Sequence, residues 1–273
     1  MPPPQRPRET VAPVADGDPL LPFQLIAYDE VDSTNTVAKR LCGAEASDRT
    51  LVWARRQTAG RGRLQRTWIS PTGNLYASLI LRPQVAAREA TALTFVAAVA
   101  VADAVSAVLA DDRADPAPVR CKWPNDVLVG GRKIAGILLE SATTADGRLE
   151  WVIVGIGINV ASHPPPSQTI YPATSLAAEG APAIAPEAVL ETLCRRLDDR
   201  LRQWADGGFA ATRAAWMARA HDLGRPIAVD CGGAPVCGVF RGLDEDGALV
   251  IEGDDGVRRI SAGDVLPKPT TTN

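Results

Sequence analysis

The sequence predicts an α/β protein with two folded parts: a larger one in which strands and helices are interspersed, and a small barrel-like β domain. Apolar runs of strand length recur between residues 23 and 160. Alanine-rich and leucine-periodic segments of helical length lie among and after these runs. From Arg225 onward the chain changes to short strands separated by Asp-Gly turns. We therefore predict a tail over residues 1–22, a first domain over 23–222 and a second domain over 223–273.

The predicted tail is rich in proline and contains no apolar run. It does not match a signal peptide and cannot fold alone, so we expect it to be disordered. The residues ahead of Phe23 are too few for a helix-turn-helix domain, which argues against a DNA-binding repressor.

The first element after the tail is a strand over FQLIAYDEV, whose alternating pattern ends at Asp32. Ser33 is placed to cap the helix that follows, which has Val37 on its inner face. Two interpretations of Ser33, Thr34 and Asn35 have equal weight. They cap the helix, or they contact a ligand, because a helix start exposes free backbone N–H groups.

Further elements follow in order along the chain. The predicted strands cover residues 75–81, 119–123, 127–129, 133–141 and 149–160. The segment 88–110 approaches the length of a membrane span, but it is mostly alanine and contains Asp103, so we predict a core helix and no membrane contact. A proline-rich surface connection over 162–186 precedes two helices, of which the second contains Phe209 and Trp216. We expect these aromatic side chains to lie in the core.

Composition favours a cytoplasmic globular protein. The chain has 273 residues, 46% of them hydrophobic, and a net charge of −3, whereas a general nucleic-acid binder would be strongly basic. The five cysteines form no CxxC pair, which indicates reduced thiols. Neither histidine is close in sequence to a cysteine or a carboxylate cluster, so no structural zinc site is predicted.

An arginine-rich segment, QTAGRGRLQRTWISPTGN over residues 57–74, lies between two apolar runs and is predicted to be a loop. Arg61, Arg63 and Arg66 fall within six positions, with Gly60 and Gly62 between them. Glycine lets a backbone approach a ligand closely, and guanidinium groups match carboxylate or phosphate oxygens. The segment therefore indicates an anion site. A solvated basic loop is the alternative for this segment taken alone.

A second segment, KWPNDVLVGGRKIAGILLE over residues 122–140, favours the anion site. Lysine occurs only at positions 39, 122, 133 and 268, and arginine is the usual cation of this chain. Two of the four lysines thus lie within twelve positions of each other. Because lysine is a compact point charge that fits beside one reacting oxygen, Lys122 and Lys133 are candidates for chemistry. In the strand that follows, Gly155 and Gly157 either let another backbone pack closely or leave a slot for a ligand.

These motifs resemble those of biotin protein ligases. The first segment resembles the GRGR loop of that family, the second its KWPND motif, and the STN triplet at 33–35 and GIGIN at 155–159 follow the order that the family shows. The resemblance is strong over residues 23–160. It implies an α+β fold in which a mixed sheet packed by helices is followed by an SH3-like β-barrel, in the form that lacks the N-terminal DNA-binding domain.

The resemblance also implies the reaction. Biotin is activated by ATP as biotinyl-5'-AMP, and the biotinyl group is then transferred to a lysine of a biotin carboxyl carrier protein or carboxylase subunit. ATP, biotin and Mg²⁺ are the implied cofactors, no specific DNA is expected to bind, and a homodimer is left open. Positive side chains would offset the repulsion between the carboxylate and the phosphate, and Mg²⁺ would screen the leaving pyrophosphate.

Site residues carried over from the family fall into three groups. The catalytic candidates are Lys133, Arg63 and Asp126. The biotin-binding candidates are Ser33, Thr34, Asn35, Gln57, Gly60, Arg61, Gly62, Arg63, Lys133, Gly136 and Gly155. The nucleotide-binding candidates are Arg63, Arg66, Trp68, Lys122, Asn125 and Asn159. Asp126 either coordinates metal or orients the incoming lysine; no metal ligand is assigned.

Two other functions are weighed against this one. A lipoate-protein ligase would share the fold and the chemistry, but its glycine-rich motif should end near a Tyr-His pair, and no histidine lies near the arginine-rich loop. A nucleic-acid-binding module could use the arginines on phosphates, but the acidic chain argues against it.

The sequence departs from the family at Leu64 and Gln65, where many members continue GRGR with Arg-Gly. Because Gln65 has less conformational freedom than glycine, we expect the loop to be partly ordered without ligand and to retain the intermediate.

Overall fold

The larger part of the molecule is built on an eight-stranded mixed sheet. The computed structural model describes residues 9–11, 20, 22–112 and 117–267. The strands of this sheet are β1 (Glu9–Val11), β2 (Gln24–Val31), β3 (Thr50–Gln57), β4 (Leu75–Leu81), β5 (Val119–Lys122), β6 (Asp126–Val129), β7 (Arg132–Thr143) and β8 (Leu149–Ile158). Their order is β1-β2-β3-β4-β8-β7-β6-β5, with β2 and β3 parallel and the other pairs antiparallel. The predicted mixed α/β fold is confirmed.

Helices cover both faces of this sheet. The helices are α1 (Thr34–Gly43), α2 (Ala90–Asp112) and α3 (Pro186–Met217). Helix α1 packs on β3, β4 and β8, whereas α2 packs on the opposite face and against α3. Gly208, at φ 64 and ψ −159, interrupts α3, so two helical segments lie where two helices are predicted.

Helix α2 is the centre of the main core. By length and apolarity the segment 87–110 could cross a membrane, but 78% of its apolar 18-residue stretch is buried inside the protein. Its side chains pack with those of β8 and α3, and Phe95 meets Trp216 with ring centroids 5.7 Å apart. The prediction of a core helix is confirmed, as is the core position of Trp216.

The smaller part is a five-stranded antiparallel sheet. Its strands are β9 (Pro226–Asp230), β10 (Val236–Leu243), β11 (Leu249–Gly253), β12 (Gly256–Ile260) and β13 (Asp264–Val265), in the order β12-β11-β10-β9-β13. Its buried Phe240 packs edge-on against Trp216, with the ring centroids 6.4 Å apart. This contact joins the small sheet to the main core. The short edge strand β13 faces the large sheet, and this placement matters for the site.

Two local expectations are corrected. Residues 9–11, inside the predicted disordered tail, form β1 and pair with β2; most of that tail lies outside the described residues. The segment 162–186, predicted to be a surface connection, buries Thr174, Leu176 and Glu179, and Lys133 N donates to Pro172 O within it. This segment therefore packs against the end of the sheet where the predicted site residues lie.

Candidate active site

One cleft of about 570 Å³ gathers the predicted site residues. It opens on the α1 face of the sheet, at the start of α1, where Gly155 and Gly157 of β8 lie on the same face as Ile153 and beside Ser78 of β4. Every candidate residue except Gly60 lines this cleft. Motifs that are far apart in sequence meet here because β3, β4, β8 and β7 are neighbours in the sheet.

The arginine-rich loop closes on itself through backbone hydrogen bonds. Trp68 N donates to Gly60 O at 2.9 Å, and Gly62 N donates to Arg66 O at 2.7 Å. A Cβ on Gly60 would lie 2.4 Å from the Trp68 carbonyl oxygen, so only glycine fits there. Gly60 thus shapes the loop from behind the cleft and does not line it.

Leu64 and Gln65 stand at the tip of this loop with φ of 52° and 58°, in the left-handed region that favours glycine. The expectation that Gln65 orders the loop counts only the lower entropy of the open state. It omits the strain of about 1 kcal/mol that a non-glycine residue carries in this conformation. Leu64 is 71% exposed at the loop tip.

Carboxylates hold all three arginines of the loop. Arg61 Nη2 lies 3.4 Å from Glu140 Oε2. Arg63 Nη1 lies 2.9 Å from Asp264 Oδ1, and Arg66 Nη2 lies 2.7 Å from Asp264 Oδ2. Since Asp264 belongs to β13, the small sheet forms one wall of the cleft and orders two arginines.

Two lysines enclose one buried carboxylate at the floor of the cleft. Lys133 Nζ lies 2.5 Å from Asp126 Oδ1, and Lys122 Nζ lies 3.0 Å from Oδ2. Burial would raise the pKa of the Asp126 carboxyl, but Lys133 and Lys122 outweigh burial and hold that pKa at about 2. Asp126 is therefore ionised and has an ammonium group at each oxygen.

This pairing leaves Asp126 poorly suited to bind a metal ion, one of its two predicted roles. Mg²⁺ needs oxygen ligands in octahedral geometry, and both oxygens of this carboxylate already face cations. No group of three or more His, Cys, Asp or Glu side chains that could hold a metal ion occurs in the described part of the chain. The side chains present do not by themselves form a divalent cation site.

A buried amide and hydroxyl network lies at the start of α1. Thr34 N donates to Gln57 Oε1 at 2.8 Å, and Ser78 Oγ lies 2.7 Å from Thr34 Oγ1 and 2.6 Å from Asn35 Oδ1. Ser33 occupies the N-cap position, but its side chain makes no capping hydrogen bond and lines the cleft. Of the two interpretations of the STN triplet, side-chain capping by Ser33 is wrong.

The glycines of β7 and β8 make room for side chains of the protein itself. A Cβ on Gly155 would lie 2.2 Å from Asn35 Oδ1, and one on Gly157 would lie 2.5 Å from Trp68 Nε1. Gly136 is also close to Trp68, with 3.2 Å between its Cβ position and the ring. The slot predicted for a ligand, or for another backbone, therefore holds the Asn35 amide and the Trp68 indole, which form the cleft wall.

The remaining candidates are fixed by hydrogen bonds. Asn125 Nδ2 donates to Ile137 O at 2.6 Å, and its Oδ1 accepts from Arg63 at 3.4 Å. Asn159 is 3% exposed and donates to Thr174 O at 2.9 Å. The Lys122 ammonium lies 4.9 Å from the ring centroid of Tyr171, a cleft residue that the motifs do not include.

Ser78, Glu140, Tyr171 and Asp264 are parts of the site that the sequence analysis missed. A signal exists for Ser78, a small hydroxyl side chain among aliphatic residues and one tyrosine in a strand whose seven residues are all buried. Glu140 ends the quoted KWPND segment but has no role assigned there. Asp264 has no local signal, since it lies 201 positions from Arg63.

Two family models match the chain. The Biotin/lipoate A/B protein ligase family matches residues 28–159, and the Biotin protein ligase C terminal domain matches residues 222–266. The first match contains the loop, the lysine pair and the amide network, and the second contains Asp264. The fold is thus that of the biotin and lipoate protein ligase class.

Individual relatives narrow this class. The chain is 42% identical over 240 residues to the biotin-acetyl-CoA-carboxylase ligase of Paracoccus denitrificans, which covers 86% of this chain and 97% of the relative. It is 34% identical to the bifunctional ligase/repressor BirA of Bacillus subtilis, over 88% of this chain and 73% of the relative. A solved biotin protein ligase from Aquifex aeolicus, in complex with biotin and ATP, matches with a TM-score of 0.73 and 31% identity, over 88% of this chain and 97% of that one. The chain therefore belongs to the Biotin/lipoate A/B protein ligase family, on the biotin protein ligase side.

Proposed function

We propose that this protein is an ATP-dependent biotin protein ligase. The carboxylate oxygen of biotin attacks the α-phosphorus of ATP, a C–O–P linkage forms, and the bond to the pyrophosphate oxygen breaks. The amine of a carrier-protein lysine then attacks the carbonyl carbon of biotinyl-5'-AMP, an amide bond forms, and AMP leaves. The resulting protein carries biotin on that lysine.

The Lys122–Asp126–Lys133 group carries this proposal. Asp126 holds the two ammonium groups near each other at the floor of the cleft, within one enclosure with three arginines. The first chemical step brings two anions together, and positioned cations stabilise the charge that develops at phosphorus. The Lys133 side chain is 26% exposed and that of Lys122 is 7% exposed, so Lys133 is the more accessible of the two and is assigned to the biotin carboxylate.

The two ends of the cleft suit the two substrates. The network of Thr34, Asn35, Gln57 and Ser78 offers donors and acceptors at fixed positions, as the ureido ring of biotin requires, and Ser33 lines the cleft beside it. At the other end Arg63 and Arg66, the Trp68 indole, Lys122, Asn125 and Asn159 are assigned to the nucleotide. Asp126 is assigned to orienting Lys133, and the incoming lysine of the carrier is its next partner.

Magnesium is assigned to the nucleotide and not to a preformed protein site. Mg²⁺ is commonly held by substrate phosphates and waters with few protein ligands, and the carboxylate nearest the lysines is occupied by them. A metal–nucleotide complex would therefore enter as a unit and lower the charge that the cleft must neutralise.

The test is pyrophosphate release with ATP and either biotin or lipoate, followed by transfer to a biotin carboxyl carrier protein. Release with biotin, and mass gain of the carrier by one biotinyl group, are expected. Release with lipoate alone would assign the protein to the lipoate branch of the family. A gel shift with DNA from its own biotin-synthesis operator is expected to show no specific complex. A homodimer and a cytoplasmic location stay predictions.

A further inference from the structure

Glu140 lies at the end of a hydrogen-bond chain that runs through the proposed biotin end of the cleft. It shares a face of β7 with Gly136 and Leu138, and its side chain is 29% exposed. Its Oε2 atom accepts a hydrogen bond from Asn35 Nδ2 at 2.7 Å. The same oxygen lies 3.4 Å from Arg61 Nη2. One carboxylate thus touches two residues that are assigned to biotin.

The charge of Glu140 determines which way the Asn35 amide faces. An ionised carboxylate only accepts hydrogen bonds, so the NH₂ group of Asn35 must point at Glu140 and its Oδ1 at Ser78. Ser78 has a single hydroxyl proton, which goes to Asn35 Oδ1 at 2.6 Å. The Thr34 hydroxyl must then donate, either to Ser78 at 2.7 Å or to Gln57 Oε1 at 3.2 Å.

Packing alone does not determine this orientation. The slot above Gly155 fixes where the Asn35 side chain lies, because any Cβ there would overlap it. An amide and its flipped form have almost the same shape, so the shape of the slot accepts both. The Leu138 carbonyl oxygen also lies near Asn35 Nδ2, but at 3.5 Å it is a much longer contact than the 2.7 Å bond to Glu140. With a neutral amide in place of Glu140, the pair could also form in reverse, and the Ser78 proton would then face an NH₂ group.

We infer that Glu140 is a positioning residue for biotin, which acts by fixing the donor and acceptor pattern of Asn35, Thr34 and Ser78 and by holding Arg61. This inference rests on the proposed function. The ureido group of biotin has one carbonyl acceptor and two N–H donors, so it binds well only to a site of fixed complementary pattern. A site whose amides adopt two orientations would bind it more weakly, while nucleotide contacts elsewhere in the cleft are unchanged.

The experiment compares Glu140→Gln with the wild type. Biotin affinity is measured by isothermal titration calorimetry, and the KM values for biotin and ATP by pyrophosphate release. The biotin Kd and KM are expected to rise by about tenfold or more, since a hydrogen bond to a charged group is lost, while the KM for ATP stays within about twofold. Glu30→Gln is the matched control. It removes the exposed ion pair between Glu30 Oε2 and Arg56 Nη1, which are 2.8 Å apart, and should change neither the affinity for biotin nor the KM for ATP.

Two further variants separate positioning from folding. Glu140→Asp keeps an acceptor that cannot donate and is expected to bind biotin more tightly than Glu140→Gln. In an Asn35→Ala background, Glu140→Gln should have a smaller effect, because the residue through which it acts is gone. A Glu140→Gln protein with wild-type biotin KM, or with biotin and ATP KM raised equally, would overturn the inference. A wild-type protein that does not bind biotin would instead overturn the proposed function.

Discussion

Replacing Lys133 by arginine tests whether the reaction needs a compact cation at the floor of the cleft. The Lys133 ammonium lies 2.5 Å from Asp126 Oδ1 and 5.4 Å from the Trp68 ring centroid. It also lies 3.4 Å from the position of a Cβ on Gly136. A planar guanidinium keeps the charge but is wider, so in this enclosure it would occupy space that we assign to the biotin carboxylate.

The expected cost is on the order of a hundredfold in kcat/KM for adenylation, or about 2.7 kcal/mol, as for the loss of a main transition-state contact. The free energy of unfolding should change by less than about 1 kcal/mol, because the substituted side chain can still pair with Asp126. The two measurements therefore move by different amounts, and this difference identifies Lys133 as a reacting-site residue.

The assay is pyrophosphate release with the biotin concentration varied at saturating ATP, which gives kcat/KM for biotin, with chemical denaturation run on the same preparations. Lys39→Arg is the matched control, because Lys39 is exposed on α1 and outside the cleft. Activity of Lys133→Arg within about threefold of that control, in a folded protein, would refute the assignment of Lys133 to the carboxylate.

Three further predictions concern stability and the loop. The pKa of Asp126 is lowered from 3.8 to about 2, so its ionised form should add roughly 2 kcal/mol to the free energy of unfolding above pH about 4. This contribution should be lost as the pH falls toward 2, and unfolding experiments across pH on the wild type and Asp126→Asn check it. Gly157→Ala should destabilise the fold by about 1–3 kcal/mol and change tryptophan fluorescence, because its Cβ overlaps Trp68, whereas Gly43→Ala, with open space around it, should not. Gln65→Gly should slow hydrogen exchange in the loop, because the relief of left-handed strain at φ 58° exceeds the added freedom of the open state; faster exchange would contradict this and support the entropy argument.

Much of the site is predictable because its residues come from contiguous motifs. The STN triplet, the GRGR loop, KWPND and GIGIN each begin or end an element, and the order of the strands brings these ends together. Residue types alone mark each segment as a candidate for binding or catalysis, as lysine does in a chain whose usual cation is arginine. The sequence therefore locates the cleft without showing which side chains touch.

Contacts between distant segments are what the sequence does not show. Asp264 pairs with Arg63 across 201 positions, and no periodicity or spacing links them. Gly155 leaves room for Asn35, but a glycine in a strand looks the same whether its neighbour is a ligand, a backbone or a side chain. Asp126 could be a metal ligand by residue type alone, and only the positions of both lysines show that its oxygens are occupied.

The charges of the cleft explain why these contacts matter to its chemistry. Five cationic and three anionic side chains line it, namely Arg61, Arg63, Arg66, Lys122, Lys133, Asp126, Asp230 and Asp264. Without carboxylate partners, the arginines of the cleft would repel one another and the lysines, and their side chains would be disordered. Glu140 and Asp264 hold these arginines in place. The cost is that the nucleotide phosphates gain less from each arginine, because they replace a carboxylate partner and not water. The surplus of two positive charges, or of one when Glu140 beside Arg61 is counted, is smaller than the charge of a triphosphate and a carboxylate together. Under the proposed function, a phosphate-bound cation would supply the remaining charge. This balance favours a site that is preformed before substrates arrive and that binds the nucleotide as its metal complex.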